Sequence, residues 1–399
     1  MSKQRARVWA GIDAGKGHHW AAVVDETGAT LWSKKIDNDE SAILTALGEI
    51  LGLADEVHWA VDISSRSSAL LLALLAAHGQ RAVYVPGRTV NRMAGVYRGE
   101  AKTDARDAYV IAETACHRRD FATLDVPAQL AADLALLTAH RTDLVTDRVR
   151  TVNRLRDVLT GMFPALERAF DYSARKGALV LLTGYQTPAA LRRRGLARLT
   201  AWLVNRGVRN ADSVAATAVE AAQAQQTALP GEDAAAQIIA DLATQILALD
   251  DRLKRIDRQI RDTFRTHPQA EIIESLPGMG PILGAEFVVA AGDMTAYADA
   301  GHLASAAGLV PVPRDSGRRT GSLHRPKRYS RRLRRVFYLS AQTSIIGDGP
   351  NRDHYLKKRG EGCKHQAVIA LARRRTSVLW ALLRDDRTFT PTPPIPQTA

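Results

Sequence analysis

Two groups of residues have types and spacings suited to chemistry on phosphate. The first is four aspartates. Asp13 closes the apolar run RVWAGID, Asp62 lies near the end of EVHWAVDI, and Asp104 and Asp107 lie in KTDARDAYVIAE. Carboxylates at strand ends project from the C-terminal edge of a sheet, and an i, i+3 pair shares one helix face. Taken singly, each has a plain structural reading: Asp13 as a turn residue, Asp104 as a helix cap, Asp107 as a first-turn acid favoured by the helix dipole. Taken together, oxygen donors without a cysteine or histidine among them suit Mg²⁺, with Mn²⁺ a substitute. Such an ion orients and polarises phosphate oxygens.

The second group is PVPRDSGRRTGSLHRPKRYSRRLRR, residues 311–335. Ser316 sits in a Gly-containing turn among ten cations, with Asp315 as the one acid of the stretch. Unpaired charges at this density cannot enter an apolar core, where each would cost several kcal/mol, so the stretch faces water or a polyanion. It reads as a solvated basic face, or as a serine held against a phosphodiester with guanidinium groups around the phosphorus. On the second reading Arg314, Arg318, Arg319, Lys327, Arg328, Arg331 and Arg332 contact nucleic acid.

Composition favours a polyanionic partner. A formal charge of +13 and a hydrophobic content of 46% describe a folded, strongly basic chain, with nucleic acid the commonest partner and an anionic membrane surface second. Two cysteines, Cys116 and Cys363, are too few and too distant for a zinc site or a disulfide framework, which fits a reducing cytoplasm. The longest apolar run, Ala69 to Ala77, is about half of the roughly 20 residues a membrane span needs. Asp13 interrupts any signal-peptide core. The expectation is a cytoplasmic protein without a membrane partner.

The elements that must position these groups follow from periodicity. RVWAGID, HHWAAVVD and ATLWSKKI, joined by tight turns, read as an antiparallel meander. A helix over Glu40–Leu53, a strand at EVHWAVDI, a helix ending at Gly79 and a strand at QRAVYVPG complete an α/β domain with a mixed sheet, residues 1–125. Residues 126–270 are helical, with a small insert at 170–232 that holds Arg192–Arg194, read as an exposed helix face, and ends in the connector EAAQAQQTALPGED. Ile239, Leu242, Ile246, Leu249, Leu253, Ile256 and Ile260 form a heptad seam that closes on the preceding long helix or on a second copy. A mostly α-helical C-terminal domain spans 271–385, and a Pro-rich tail 386–399. In it, Pro277-Gly278-Met279-Gly280 turns between two apolar helical segments. This is a plain turn, or a helix-hairpin-helix-like element whose Gly278 and Gly280 let a phosphate approach backbone N–H groups.

In order along the chain, GIDAGK, the acid of WAVDIS, KTDARDA, SLPGMGP, GHLASAAGLVP, DSGRRTG and the basic YSRRLRRVFYLSAQT resemble the motifs of the DEDD transposases of the insertion-sequence one-ten family. The resemblance spans nearly the whole chain, least in the insert. It implies an RNase H-like, RuvC-like N-terminal domain with Asp13, Asp62, Asp104 and Asp107 as its metal tetrad, a coiled coil between the catalytic domains, and Ser316 as the nucleophile. Asp62 stands where the family usually has glutamate, so its carboxylate reaches about 1.5 Å less far. Asp315 replaces a common serine, and two arginines follow where small residues are frequent. The resemblance further implies a structured guide (bridge) RNA pairing with target and donor DNA, a homo-oligomer from dimer to synaptic tetramer, and a nucleoid-associated prokaryotic setting.

The function expected from these readings is a DNA recombinase that moves its own element through a Ser316 phosphodiester link, with Arg318 and Arg319 stabilising transition-state charge. Two alternatives stay open. One is a Mg²⁺-dependent, structure-selective nuclease of the Holliday-junction type, in which Ser316 is a bystander. The other is a non-catalytic nucleic-acid-binding protein, a decayed transposase.

Overall fold

Alternation along two strands decides which face of the first sheet carries the acids. The computed structural model describes residues 5–63, 66–95, 103–118, 120–121, 123–124, 129–315, 320–362 and 366–391. It contains two compact units, residues 1–128 and 129–399. The first holds β1 (Arg5–Ala14), β2 (His18–Val24), β3 (Thr30–Asp37), α1 (Glu40–Leu51), β4 (Ala54–Ile63), α2 (Ala69–Ala77), β5 (Ala82–Tyr84), α3 (Gly87–Ala94), α4 (Asp104–His117) and β6 (Thr123–Leu124). The six strands run β3-β2-β1-β4-β5-β6; β1/β4 and β4/β5 are parallel and the other pairs antiparallel. The mixed sheet expected from sequence is therefore present. The sequence reading missed α3 and β6: GRTVNRMA buries only Val90, and a two-residue strand has no period to detect.

Val8, Ala10 and Ile12 of β1, with Trp59 and Val61 of β4, pack under α1 and α2. Side chains alternate along a strand, so Trp9, Gly11 and Asp13, with His58, Ala60 and Asp62, fall on the opposite face. There Ala60 packs with Val85, Val90, Val110 and Ile111, which places α3 and α4 on that side. Gly11 is the contact point. A Cβ at this position would lie 2.2 Å from Ala112 N and 2.3 Å from Ala108 O, so α4 sits directly on the strand backbone. Gly11→Ala must push the helix away. We expect a loss of about 3 kcal/mol and a fall in melting temperature on the order of 10 °C by circular dichroism; an unchanged melt would refute this close approach.

The second unit opens with α5 (Gln129–Met162) and α6 (Pro164–Ala169), continues through α7 (Lys176–Leu182), α8 (Pro188–Arg194), α9 (Leu196–Val204) and α10 (Ala211–Gln223), and returns along α11 (Glu232–Phe264). Pro164 ends α5 and starts α6 at its first position, where its missing N–H costs nothing. The heptad seam closes within the chain. Ile239, Leu242 and Ile246 cluster with Val152, Leu155 and Leu159, while Ile256 and Ile260 join Leu134 and Leu144. Arg141–Asp257 (2.6 Å) and Arg148–Asp250 (2.5 Å) repeat at seven-residue spacing with opposite chain sense, so α5 and α11 are antiparallel. The seam is thus filled by α5 and is not the surface that would bind a second copy. The connector after the insert is shorter than its composition suggested: α10 extends to Gln223, and Gln225 donates to Met162 O at 3.0 Å.

The remainder comprises α12 (Ala270–Ser275), α13 (Pro281–Ala291), α14 (Ala300–Ala306), the hairpin β7 (Val312–Pro313) and β8 (Leu323–His324), α15 (Arg331–Ser344), α16 (Pro350–Gly360) and α17 (Ala367–Arg384). The unit ends in two separate helices, α16 and α17. Arg375 of α17 is 2% exposed. It donates to Ser340 Oγ of α15 at 2.7 and 3.1 Å and to Pro277 O of the Pro-Gly-Met-Gly turn. Burial lowers its guanidinium to about 10. This one side chain ties two helices to the turn. Arg375→Ala should destabilise the protein by about 2–4 kcal/mol, since it leaves Pro277 O without its donor and opens a void. Arg375→Met, which refills the void alone, should recover only part of the loss in urea denaturation.

Candidate active site

In the parallel register of β1 and β4, Asp13 lies directly opposite Asp62, on neighbouring strands about 4.8 Å apart. Both face the α3/α4 side at the C-terminal ends of their strands. Helix α4 brings the other two acids. Thr103 is its N-cap and accepts from Arg106 N, which puts Asp104 and Asp107 in the first turn. Thr103, not Asp104, is therefore the cap, and both aspartates are left for other work. Asp62 is half-buried, with the Gly87 N–H donating to it; a Cβ on Gly87 would lie 2.6 Å from Asp62 Oδ2. Burial pushes the Asp62 carboxyl above its usual range, and the negative charge of Asp107 pushes it further, against the Gly87 hydrogen bond. The charge of Asp62, after burial, in turn raises the Tyr84 phenol.

Asp104 has a partner that sequence reasoning missed. His18 Nε2 lies 3.2 Å from Asp104 Oδ2, which sets an imidazole beside one of the carboxylates. The available signal was the HH doublet directly after the Gly15-Lys16-Gly17 turn, which returns the chain beside Asp13. Among the described residues no three His, Cys, Asp or Glu side chains are grouped closely enough to hold a metal ion. Asp13 and Asp62 share one sheet face and one strand edge, and α4, whose first turn holds Asp104 and Asp107, packs on that face. The couplings seen are Asp62 with Asp107 and Asp104 with His18. Oxygen donors, one of them raised by burial and then by a neighbouring negative charge, have the chemistry that a hard divalent cation relieves.

Ser316, Arg318 and Arg319 lie outside the described residues. The described residues on either side of them, up to Asp315 and from Thr320, are tied to one another. Val312 pairs with His324 and Pro313 with Leu323, Arg314 N donates to Ser322 O at 2.8 Å, and Ser322 N donates to Asp315 Oδ1 at 3.1 Å. Ser322 Oγ and His324 Nε2 are 2.9 Å apart, a serine–imidazole pair that an S-x-H spacing on a strand could have signalled. Below the hairpin, the Tyr329 ring packs on Gly308, where a Cβ would meet Cγ at 2.4 Å. Arg325 donates to the Tyr329 hydroxyl. That hydrogen bond, helped by the charges of Arg325, Arg334 and Arg331, lowers the phenol below its usual value.

The structure separates the arginines of this stretch by role. Arg334 donates to Gly308 O and Arg335 pairs with the buried Glu286, so both are structural. Arg314, Lys327, Arg328 and Arg331 are exposed and Arg332 is partly so; none of the five forms an ion pair among the described residues. The two glycines of the turn also differ. Gly278 has φ +79°, and its Cβ position lies 2.7 Å from Ser340 O, so packing on α15 demands it. Gly280, at the start of α13, has open space around it.

A DEDD-type transposase family matches residues 10–164, and the family described as transposase IS116/IS110/IS902 matches residues 270–356. The chain is 65% identical to the 44.8 kDa protein of insertion element IS116 from Streptomyces clavuligerus, over 100% of both chains. It is 52% identical to the 42 kDa protein of insertion element IS900 from Mycobacterium paratuberculosis, over 96% of this chain and 97% of that one. It is 33% identical to the 43.6 kDa protein of insertion element IS110 from Streptomyces coelicolor, over 95% and 94%. No helix among the described residues is long and apolar enough to cross a membrane. With the acids of both strand ends on one face and the matches running nearly end to end, the chain belongs to the IS116/IS110/IS902 family of transposases.

Proposed function

We propose that this transposase cuts and rejoins DNA through a covalent Ser316–phosphodiester intermediate, assisted by a divalent metal held by Asp13, Asp62, Asp104 and Asp107. The observation that carries the metal half is the facing of Asp13 and Asp62 in register, with the charge of Asp107 felt at Asp62. Mg²⁺, or Mn²⁺, bound there would polarise a phosphate oxygen. His18, beside Asp104, is placed to hold or pass a proton. In the serine half, the Ser316 hydroxyl forms the P–O bond as the scissile P–O bond to the leaving deoxyribose breaks, and the leaving oxygen takes a proton. The link conserves the phosphodiester for religation. Arg314, Lys327, Arg328 and Arg331, exposed and without an ion pair among the described residues, fit contacts to the DNA backbone, and Arg318 and Arg319 fit charge stabilisation at phosphorus.

The same reading includes a structured guide RNA that pairs with target and donor DNA, and a homo-oligomer up to a synaptic tetramer. The charge of +13 supports a large polyanionic load, and delegating sequence choice to RNA pairing fits a chain without a recognised base-reading module. A cytoplasmic, nucleoid-associated setting follows from the same partners. The test is covalent capture. The protein is incubated with its element's flanking RNA, labelled junction DNA and Mg²⁺, then denatured and digested, and the nucleotide-bearing peptide is mapped. An adduct on Ser316 is expected. An adduct on Ser322, the serine already paired with an imidazole, would move the nucleophile along the hairpin. Cleaved DNA without an adduct would favour a metal-only nuclease.

A further inference from the structure

The helical insert between the two family-matched segments carries a basic pocket that neither the carboxylates nor the Ser316 hairpin accounts for. It lies between the start of α7 and the turn from α9 to α10, has a volume of about 460 Å³, and is lined by Arg175, Lys176, Arg206, Arg209 and Asn210 over a floor of valines. No carboxylate lines it. All four cations are exposed, and none of them forms an ion pair among the described residues. Four like charges around one hollow repel one another, so folding does not favour this arrangement for its own sake; an anion relieves it.

The walls are fixed by packing. A Cβ on Gly177 would lie 2.9 Å from Val208 Cγ1, so α7 closes directly on the 207–214 segment, and Gly207 turns the chain at φ +73°. Arg206 stacks over Trp202 with its guanidinium carbon 3.7 Å from the ring centroid. Trp202 is itself held edge-on by Tyr185 at 5.1 Å. One guanidinium N–H reaches Trp202 O at 3.4 Å; the stacked group keeps its other N–H groups for oxygen acceptors while losing little freedom on binding. By contrast, Arg192 on the same insert is spent on the carbonyls of Ala222 and Gln225 at the end of α10. The charge of Lys176 is partly taken up by Asp251 of α11, whose carboxyl it helps to lower after Lys254.

We propose that this pocket binds the phosphodiester backbone of duplex DNA, with Arg175, Arg206 and Arg209 as phosphate ligands, giving the transposase a DNA contact outside both family-matched segments. The contact is independent of base sequence and does not need Ser316 or the aspartates.

The test measures the salt dependence of binding by the full-length protein to a 30-base-pair random duplex, with single-stranded RNA of the same length in parallel. Removing one phosphate ligand lowers the slope of log affinity against log salt by about 0.9 on B-form DNA. Arg175→Gln/Arg206→Gln/Arg209→Gln should therefore reduce the duplex slope by about 2 to 3. Arg193→Gln/Arg198→Gln, on exposed faces outside the pocket, should change it by less than about 1. A duplex slope equal to wild type would overturn the proposal, and a fall confined to the RNA would overturn it in favour of an RNA-binding pocket. Should the triple variant melt early, Arg209→Gln alone should still lower the duplex slope by about 0.9. These measurements read binding and not strand breakage, so they can fail while the Ser316 adduct is confirmed, and the reverse.

Discussion

Ser316→Ala is expected to give a folded protein that binds DNA, forms no covalent adduct and breaks strands more slowly by on the order of 10⁴ or more. The nearest described residues, Arg314 and Asp315 on one side and Thr320 and Gly321 on the other, are exposed. Truncating one hydroxyl there leaves the core packing intact, and the melting temperature should hold within a degree or two. Ser322→Ala is the matched control. It deletes the hydroxyl next to His324 Nε2 but should leave the adduct in place. If Ser316→Ala cleaves normally, the protein is a metal-only nuclease and the serine serves only its loop. If neither wild type nor variant cleaves with the element's RNA bound, while salt-sensitive DNA binding persists, the chain is a non-catalytic binder.

The first unit was legible because its sheet obeys period-2 alternation. RVWAGID ends in an aspartate and EVHWAVDI has one at its penultimate position, each on the same parity as a residue facing α4, so the location of Asp13 and Asp62 followed from counting. The α5/α11 pair was legible for the same kind of reason, since seven apolar residues three and four apart define a stripe. Its partner was not, because a stripe does not say what covers it; Arg141–Asp257 and Arg148–Asp250 decide that, and such pairs are invisible before the register is known. His18 was missed because its role depends on a turn that brings β2 back beside α4. Gly278 looked like a phosphate-approach glycine, but the space beside it is filled by Ser340 and Ser344. Nothing in the sequence separates Arg375 from its neighbours Arg373 and Arg374, and only burial distinguishes it. The insert pocket escaped for a related reason: Arg175, Lys176, Arg206 and Arg209 are scattered over thirty-five residues of sequence and become one hollow when Gly177 lets α7 close.

Asp62→Asn is expected to make the protein more stable near neutral pH and nearly inactive. Burial and the charge of Asp107 raise the Asp62 carboxyl, so between the ordinary carboxylate range and that raised value the folded state holds more protons than the unfolded one. Stability conferred by this group is therefore full at low pH, falls as pH rises through the raised value, and stays reduced above it. Asparagine is neutral throughout and can still accept the Gly87 N–H, so the variant should melt higher than wild type at pH 7 and show no such fall. Asp13→Asn, its register partner, should share the loss of activity. With a metal ligand gone, strand breakage should drop by about 10³ to 10⁴ in each case. A divalent cation would favour the ionised form, so Mg²⁺ should raise the melting temperature of wild type at pH 7 and leave that of Asp62→Asn nearly unchanged. Equal Mg²⁺ shifts in the two proteins would place the ion elsewhere. An active Asp62→Asn would show that Asp13, Asp104 and Asp107 suffice, and that the shorter acid where the family usually has glutamate has left this position without a catalytic duty.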